Sequence, residues 1–200
     1  MITASPDRAV EEQAVPDRTD PDRQAVAAPR AIDVRGLSKR YGALDAVRGI
    51  TFDVNHGEMF GLIGPDGAGK TSTFQILAGV MEATTGNANI LSRPARDMRS
   101  QTGYLTQDFS LYPDLTVAEN IRYSGDLRLI PPDEIADRSL QYLKMVDMDR
   151  FSDRLAGQLS GGMKQKLALV CALVPQPKVL LLDEPTTGVD PVSRREFWTR

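Results

Sequence analysis

The sequence contains few of the residues that build disulfide frameworks or membrane spans. Its single cysteine, Cys171, excludes an internal disulfide, and the apolar neighbours of this thiol favour a structural role in a reducing compartment. The longest uninterrupted apolar run, residues 167–174, is far shorter than a bilayer span, and no early apolar run follows Met1. We therefore expect neither a membrane-spanning helix nor a secretory signal. Any pathway across a membrane would have to come from another polypeptide.

The sequence also lacks an excess of either charge. Its 24 lysines and arginines against 27 aspartates and glutamates give a formal net charge of -3, so nucleic acid is not an expected partner. The single histidine, His56, lies in a turn-like sequence and is interpreted as a solvated residue. With 41% hydrophobic and 26% charged residues among 200, the composition is typical of one globular domain with a sizeable core.

Residues 1–30 have the composition of a disordered tail, because proline, aspartate, arginine, alanine and glutamine dominate there and cannot bury a core. The tripeptide Pro-Asp-Arg occurs at residues 6–8, 16–18 and 21–23. A docking motif is the less favoured alternative, since the spacing is irregular and both charge signs are interleaved.

The folded part is predicted to begin at residue 31 with strands. Alternation of apolar and polar residues at Ile32 and Val34, and again over residues 50–54, is typical of half-buried strands. The apolar residues 59–63 predict a short buried strand that leads into a glycine-rich loop, and residues 71–78 have the apolar spacing of a helix. Strand, glycine-rich loop and helix in this order are the context that a phosphate-binding loop requires.

Residues 108–158 predict a small inserted helical subdomain. Thr116 and Glu119 have the spacing of a capping box at a helix N-terminus. Pro131 and Pro132 break this segment before a second helix begins. The residues expected on the inner side of that second helix are Ile135, Leu140 and Leu143.

From Ser160 the chain is predicted to return to the main lobe through another helix and a strand. Pro175 and Pro177 end the helix, and the apolar residues 179–182 predict a central parallel strand that is buried on both faces. The apolar stripe of the helix is expected to comprise Met163, Leu167, Val170, Cys171 and Val174.

Residues 64–71, Gly-Pro-Asp-Gly-Ala-Gly-Lys-Thr, predict a nucleotide-binding loop. Glycines permit positive φ angles, so that successive backbone amides converge on phosphates at a helix N-terminus. Lys70 adds a positive charge, Thr71 offers a hydroxyl to magnesium, and Ser72 adds a hydroxyl near the inner phosphates. The residues predicted to contact the nucleotide in this segment are Gly64, Pro65, Asp66, Gly67, Ala68, Gly69, Lys70, Thr71 and Ser72.

Two carboxylates follow the apolar run 179–182. Asp183 stands at the carboxyl end of the predicted strand, where it can hold magnesium or a ligating water, and Glu184 can reach an attacking water. Taken alone, the pair could equally be a polar strand end.

Upstream, Leu159-Ser160-Gly161-Gly162 begins a second helix N-terminus, which is a second anion-binding end that one phosphate loop does not need. Two such ends on one chain indicate a shared site.

The glycine-rich loop, the Leu-Ser-Gly-Gly tetrad and the carboxylate pair, in this order, make the chain similar to the ATP-binding subunit of an ABC transporter. Residues 160–173 and 177–185 most resemble ABC-2-type exporters, including multidrug efflux systems. The resemblance implies an α/β fold: a P-loop NTPase lobe of the ABC type, with a mixed, mainly parallel sheet and flanking helices, plus an α-helical insertion. It places the ATP-binding domain at residues 31–200, the catalytic lobe at 31–107 and 159–200, and the helical subdomain at 108–158.

The resemblance also assigns individual roles. Tyr41 would stack on adenine, Gln107 would sense the γ-phosphate and magnesium, and Asp190 lies in the D-loop. The residues implied in hydrolysis are Glu184, Lys70 and Gln107. The residues implied in holding magnesium are Thr71, Gln107 and Asp183.

The implied partners are a second ATP-binding subunit, in a homodimer or heterodimer, and a polytopic membrane permease. Ser160, with the amides of Gly161 and Gly162, would cap the γ-phosphate bound by Lys70 of the second subunit. Residues 108–113 would contact the permease, so the resemblance places the protein peripherally on the cytoplasmic face of the cell membrane. The apolar members of this segment, Phe109, Leu111 and Tyr112, fit an ordinary core equally well.

The sequence departs from the family pattern in two ways. Asp66 replaces the usual asparagine of the loop, and is expected to weaken ATP binding slightly unless it points outward or meets a cation. The sequence ends at Arg200, before the family's switch histidine and final strands, so the fold is expected to be incomplete at this end and the 200-residue chain to hydrolyse ATP poorly.

Two other functions share these motifs. A soluble ABC-type ATPase that acts on ribosomes or other macromolecules is one alternative, although residues 108–158 lack the heptads of the chromosome-associated type. A nucleotide-binding module without turnover is the other, and it would leave Glu184 idle.

Overall fold

In a computed structural model, residues 30–107 and 110–185 are described. The predicted tail, Asp108, Phe109 and Asp190 lie outside these residues, apart from Arg30, which belongs to the first strand. The strands are β1 (Arg30–Tyr41), β2 (Leu44–Asn55), β3 (Thr85–Ile90), β4 (Arg93–Pro94), β5 (Thr102–Leu105) and β6 (Val179–Leu182), and the α-helices are α1 (Lys70–Leu77), α2 (Val117–Asp126), α3 (Pro132–Met145) and α4 (Gly161–Leu173). Short 3-10 turns cover Ala95–Gln101, Asp149–Phe151 and Ala156–Gln158.

The strands form two separate sheets in the described part of the chain. An antiparallel sheet has the order β2-β1-β3-β4, and Val34, buried and opposite Phe52, confirms the predicted alternation in β1 and β2. β5 and β6 form a parallel pair, with Thr102 opposite Val179. The fold is therefore mixed as predicted, and its parallel pairing is restricted to β5 and β6 within the described residues.

The short buried strand predicted at residues 59–63 is wrong. This segment has no strand hydrogen bonds, and Met59 and Ile63 are 91% and 95% exposed. Apolar composition alone does not make a strand, because the backbone also needs a neighbour with which to pair. β2, which pairs with β1, ends at Asn55, and no strand of the described residues pairs with residues 59–63. Phe60 still packs, since its ring stacks on Phe52 with centroids 5.1 Å apart.

The helical region follows its sequence signals, with one exception. The capping box is confirmed, because the Thr116 hydroxyl accepts from the Glu119 amide and the Glu119 carboxylate accepts from the Thr116 amide. In α3, Ile135 and Leu143 are buried as predicted. The inward placement of Leu140 is wrong, since this side chain is 53% exposed. Five residues after Ile135, it is rotated by about 140° around the helix axis.

Two hydrophobic clusters divide the buried residues. The first joins β1, α1 and β3 with Val179 and Leu181 of β6. The second joins α2 and α3 with the buried face of α4, where Leu167, Val170 and Val174 confirm the predicted stripe. The burial of β6 on both faces is wrong, because Leu180 is partly exposed and β5 is the only neighbour of β6 among the described residues.

The domain boundaries inferred from sequence stay predictions. Helix α4, which was assigned to the catalytic lobe, packs on the helical cluster and also contacts β5. No helix within residues 30–107 and 110–185 has both the length and the hydrophobicity that crossing a bilayer requires. His56 lies exposed in the turn after β2, as expected.

Candidate functional site

The glycine-rich loop joins the exposed segment 59–63 to the N-terminus of α1. Gly69 is the N-cap residue, with φ of 84°, and a side chain there would clash with the carbonyl oxygen of Ala46. Only glycine fits this left-handed, crowded position. No side chain caps the helix at Gly69, so the first amides of α1 are left for another acceptor. This is the arrangement in which a helix N-terminus binds a phosphate.

Lys70, the first residue of α1, extends back over the loop. Its ammonium donates to the carbonyl oxygens of Gly64 at 2.9 Å and Pro65 at 3.0 Å, and only 16% of its side chain is exposed. The Asp66 carboxylate lies 3.7 Å from the ammonium, with a fully exposed side chain. The acidic residue therefore points outward and faces a cation, which are the two conditions under which its effect on an anionic ligand is small.

Asp183 follows β6 and is completely buried. Its amide donates to the Leu105 carbonyl at 2.9 Å, which continues the β5–β6 pairing by one residue, and its Oδ2 accepts a hydrogen bond from the Tyr104 hydroxyl at 3.3 Å. Burial raises the pKa of this carboxyl, and hydrogen bonding from the Thr71 and Tyr104 hydroxyls opposes the rise. The other oxygen, Oδ1, is buried without a hydrogen-bond partner. A buried carboxylate oxygen without a donor is what a cation site requires.

Glu184 lies beside Gln107 and Lys70. The Gln107 amide donates to Glu184 Oε2 at 3.3 Å, and Glu184 Oε1 lies 3.7 Å from the Lys70 ammonium. Gln107 and Glu184 each come two residues after a parallel strand ends, so the fold brings them to the same edge of the sheet. The backbone of Glu184 has a φ of 50°, in the left-handed region that residues other than glycine seldom adopt. Backbone strain of this kind is common at functional sites.

Tyr41, the predicted adenine-stacking residue, lies next to the same helix. Its hydroxyl is 3.2 Å from the Ser72 hydroxyl and donates to the Met81 sulfur at 2.9 Å. The ring is 43% exposed, with the Lys39 ammonium 5.2 Å from its centroid. Two polar contacts thus fix a partly exposed aromatic ring near the loop.

The tetrad 159–162 occupies the N-terminus of another helix, α4. Ser160 is the N-cap, exposed, and its hydroxyl accepts from the Met163 amide at 3.3 Å. In the described residues, the Ser160 side chain bonds only to its own helix, and Gly161 is also exposed. The chain therefore presents this helix N-terminus to solvent.

Sequence reasoning missed Tyr104. Its position in β5 carries a signal, since it lies two residues from Thr102 and shares a strand face with it, near the strand end that precedes Gln107. The contact with Asp183 required the register of β5 against β6, which no pattern in the sequence specifies.

A glycine-rich loop at a helix N-terminus, with a buried carboxylate at the end of a neighbouring strand, defines an ATP-binding domain of the P-loop class. Comparison with known proteins agrees. A family model described as "ABC transporter" matches residues 47–187. The chain belongs to the ABC transporter family.

Two curated relatives are informative. A probable multidrug ABC transporter ATP-binding protein of Escherichia coli is 44% identical over 173 residues, covering 84% of this chain and 30% of that protein. A Nod factor export ATP-binding protein of Burkholderia orbicola is 41% identical over 179 residues, covering 84% of this chain and 57% of that protein. The chain thus spans less than two thirds of the length of either relative.

Solved structures show the same fold. An ATP-binding subunit of an ABC transporter superposes with a TM-score of 0.74 at 32% identity, covering 82% of this chain and 70% of the other. A Clostridium perfringens protein described as part of the ABC transporter complex cbiONQ also gives 0.74, at 28% identity, covering 84% and 71%.

Proposed function

We propose that this chain is the ATP-binding and ATP-hydrolysing part of an exporter, and that it acts through a separate membrane permease. The observation that carries the proposal is the convergence of Lys70, Asp183, Glu184 and Gln107 at the N-terminus of α1. A cation, a buried strand-end carboxylate and a second carboxylate within one cluster are the parts that phosphoryl transfer to water needs.

The donor set fits magnesium. Asp183 Oδ1 is buried and without a hydrogen-bond donor, and the Thr71 hydroxyl contacts the same carboxylate. Hard oxygen donors of this kind are the ligands magnesium prefers, and the Gln107 side chain offers a further amide oxygen. When bound, the ion neutralises charge that develops on the phosphate oxygens.

Glu184 is proposed to orient and activate the attacking water. Its carboxylate is held by the Gln107 amide and the Lys70 ammonium, so it lies next to the cation that would contact the phosphates. Lys70 bonds to two loop carbonyls and is thereby aimed along the loop. Both groups then act mainly by position and charge, which supply most of the catalysis in this class of reaction.

The exposed N-terminus of α4 supports a composite site. Ser160 and the following glycine amides form a second anion-binding end whose side-chain contacts leave it open to solvent. We infer that a second ATP-binding subunit places its bound γ-phosphate there. ATP would then join the two subunits, with each site completed by the tetrad of the other.

The permease is proposed to dock near the end of β5. A cavity of about 260 Å³ lies between β5, α2 and α4. On its rim, Tyr112 is half exposed and meets Tyr123 edge-on, with ring centroids 4.7 Å apart, and Leu127 is 64% exposed. Leu111, by contrast, packs into the helical cluster. A partner here would place the protein at the cytoplasmic face of a membrane.

Purification from detergent-solubilised membranes, followed by mass spectrometry of the companions, tests this proposal. We expect a polytopic permease to be recovered with the parent protein and to be lost with Leu127→Asp. Leu140→Asp is the matched control, because Leu140 is similarly exposed but lines a different groove on α3. Recovery of ribosomal proteins without any membrane protein would contradict the exporter function.

A further inference from the structure

We propose that Tyr104 is a positioning residue for magnesium binding, because its hydroxyl occupies one oxygen of Asp183 and directs the other towards the ion. The inference rests on the proposed function. Tyr104 would not touch the ion or the nucleotide. It would act through Asp183 alone.

Strand register brings the two side chains together. Tyr104 is opposite Leu181 in the parallel β5–β6 pair, and Asp183 comes two residues after Leu181. Residues two apart on a strand project from the same face, so Asp183 and Tyr104 share one face of the pair. The bond between Asp183 N and the Leu105 carbonyl fixes this register at the strand end.

The opposite face of β5 is closed by close packing. At Gly103, a Cβ atom would come within 2.9 Å of the Ala172 carbonyl oxygen and of Pro177 Cγ. The backbone of β5 therefore approaches α4 and Pro177 closely on this face, while its pairing with β6 holds the register. The Tyr104 ring also packs against the first hydrophobic cluster, which restricts its rotamer.

The two carboxylate oxygens of Asp183 consequently differ. Oδ2 accepts from the Tyr104 hydroxyl at 3.3 Å, whereas Oδ1 is buried without a partner. A phenol is a neutral donor, so it orients the carboxylate and leaves its charge available to a cation. Groups that hydrogen-bond to a metal ligand in this way fix its orientation, and their loss typically costs about 10- to 100-fold in metal affinity.

The test measures how much Mg²⁺ strengthens the binding of a fluorescent ATP analogue to the full chain, by titration with Mg²⁺ and with EDTA. We expect Tyr104→Phe to reduce the Mg²⁺-dependent gain about tenfold, at the lower end of that range, with affinity in EDTA unchanged. Tyr142→Phe, which removes a hydroxyl from a partly buried tyrosine of α3, should match the parent. Asp183→Asn should remove most of the gain.

The variants separate two kinds of failure. If Asp183→Asn keeps the full gain, the proposed magnesium site itself is wrong. If Asp183→Asn loses the gain while Tyr104→Phe binds like the parent, only the role of Tyr104 is overturned. A Tyr104→Phe chain that does not fold, as judged by circular dichroism, overturns it as well, because the hydroxyl would then serve the fold and not the ion.

Discussion

The N-termini of α1 and α4 are both predicted to bind phosphate, but their surroundings in the structure differ. α1 begins at a glycine without a side-chain cap and is surrounded by Lys70, Asp183 and Glu184 of the same chain. α4 begins at Ser160, which caps its own helix and lies exposed. The fold places charged side chains around the N-terminus of α1. In the described residues, the Ser160 side chain at the N-terminus of α4 bonds only to the first turn of its own helix.

Under the proposed function, this difference would let one chain contribute to two composite sites. The cluster at α1 has the buried carboxylate and the cation that a nucleotide with magnesium needs. The N-terminus of α4 offers amides and a hydroxyl but lacks acidic groups within its first turn. Such an end could bind a phosphate that is already held elsewhere, and under the proposed function a second copy of the α1 cluster would provide that phosphate.

The largest effect is expected from Glu184→Gln at the α1 cluster. Removing the carboxylate should lower ATP turnover by about 10²- to 10⁴-fold, the usual contribution of a general base, while ATP binding is retained. Phosphate release under saturating ATP measures this. Glu82→Gln is the control, since that carboxylate is 85% exposed. If Glu184→Gln turned over ATP as fast as the parent, Glu184 would have no role in the hydrolysis step.

Lys70→Ala at α1 and Ser160→Arg at α4 should differ in their effect on the ATP affinity of a single chain. Lys70 donates from a nearly buried ammonium, so its loss should weaken ATP binding to single chains by about 10- to 100-fold, as expected for a charged hydrogen bond. Ser160→Arg should leave that affinity unchanged at low protein concentration. Equilibrium titration with a fluorescent ATP analogue, with the exposed Lys144→Ala as control, checks both. Equal losses in the two variants would mean that both ends act within one chain.

Asp183→Asn should stabilise the nucleotide-free protein. Burial raises the pKa of Asp183 above its ordinary value of 3.8. As far as this carboxyl is concerned, the parent protein is therefore most stable below pH 3.8, where the carboxyl is protonated, and it loses free energy of unfolding as the pH rises through the folded-state pKa. The asparagine amide carries no charge at any pH, so a gain of about 1 kcal/mol, or about 2–4 °C in Tm, is expected at pH 7 and should shrink towards pH 4. Thermal unfolding in EDTA measures it, with exposed Asp114→Asn as control. A pH-independent difference would contradict the electrostatic cause.

The smallest effect concerns Cys171, which lies on α4 but far from its N-terminus. Burial raises the pKa of this thiol to about 12, so roughly 10⁻⁴ of it is ionised at pH 8. Alkylation by iodoacetamide should therefore be slow in the folded protein and fast in denaturant. Cys171→Ala should leave both helix ends functional. Rapid alkylation under native conditions would contradict the raised pKa of this thiol.

The sequence predicted the local features well and the pairings poorly. The capping box at Thr116, the stripe on α4 and the loop before Lys70 depend on residues close in sequence, and the structure has them. The predictions of a strand at 59–63 and of burial on both faces of β6 were wrong, because strand burial depends on neighbours that composition does not specify. The Tyr104–Asp183 contact joins residues 79 apart and was missed for the same reason. The roles assigned to the site residues remain predictions.

Mixing two variants, each of which should lack ATP turnover in a homodimer, tests the proposed shared site most directly. Lys70→Ala disables the α1 cluster, and Ser160→Arg disables the N-terminus of α4. In a mixed dimer, the intact α1 cluster of one subunit meets the intact tetrad of the other. An equal mixture should recover about a quarter of the parent ATP turnover, since half of the dimers are mixed and each holds one complete site. A mixture that stays as inactive as each variant alone would contradict the account.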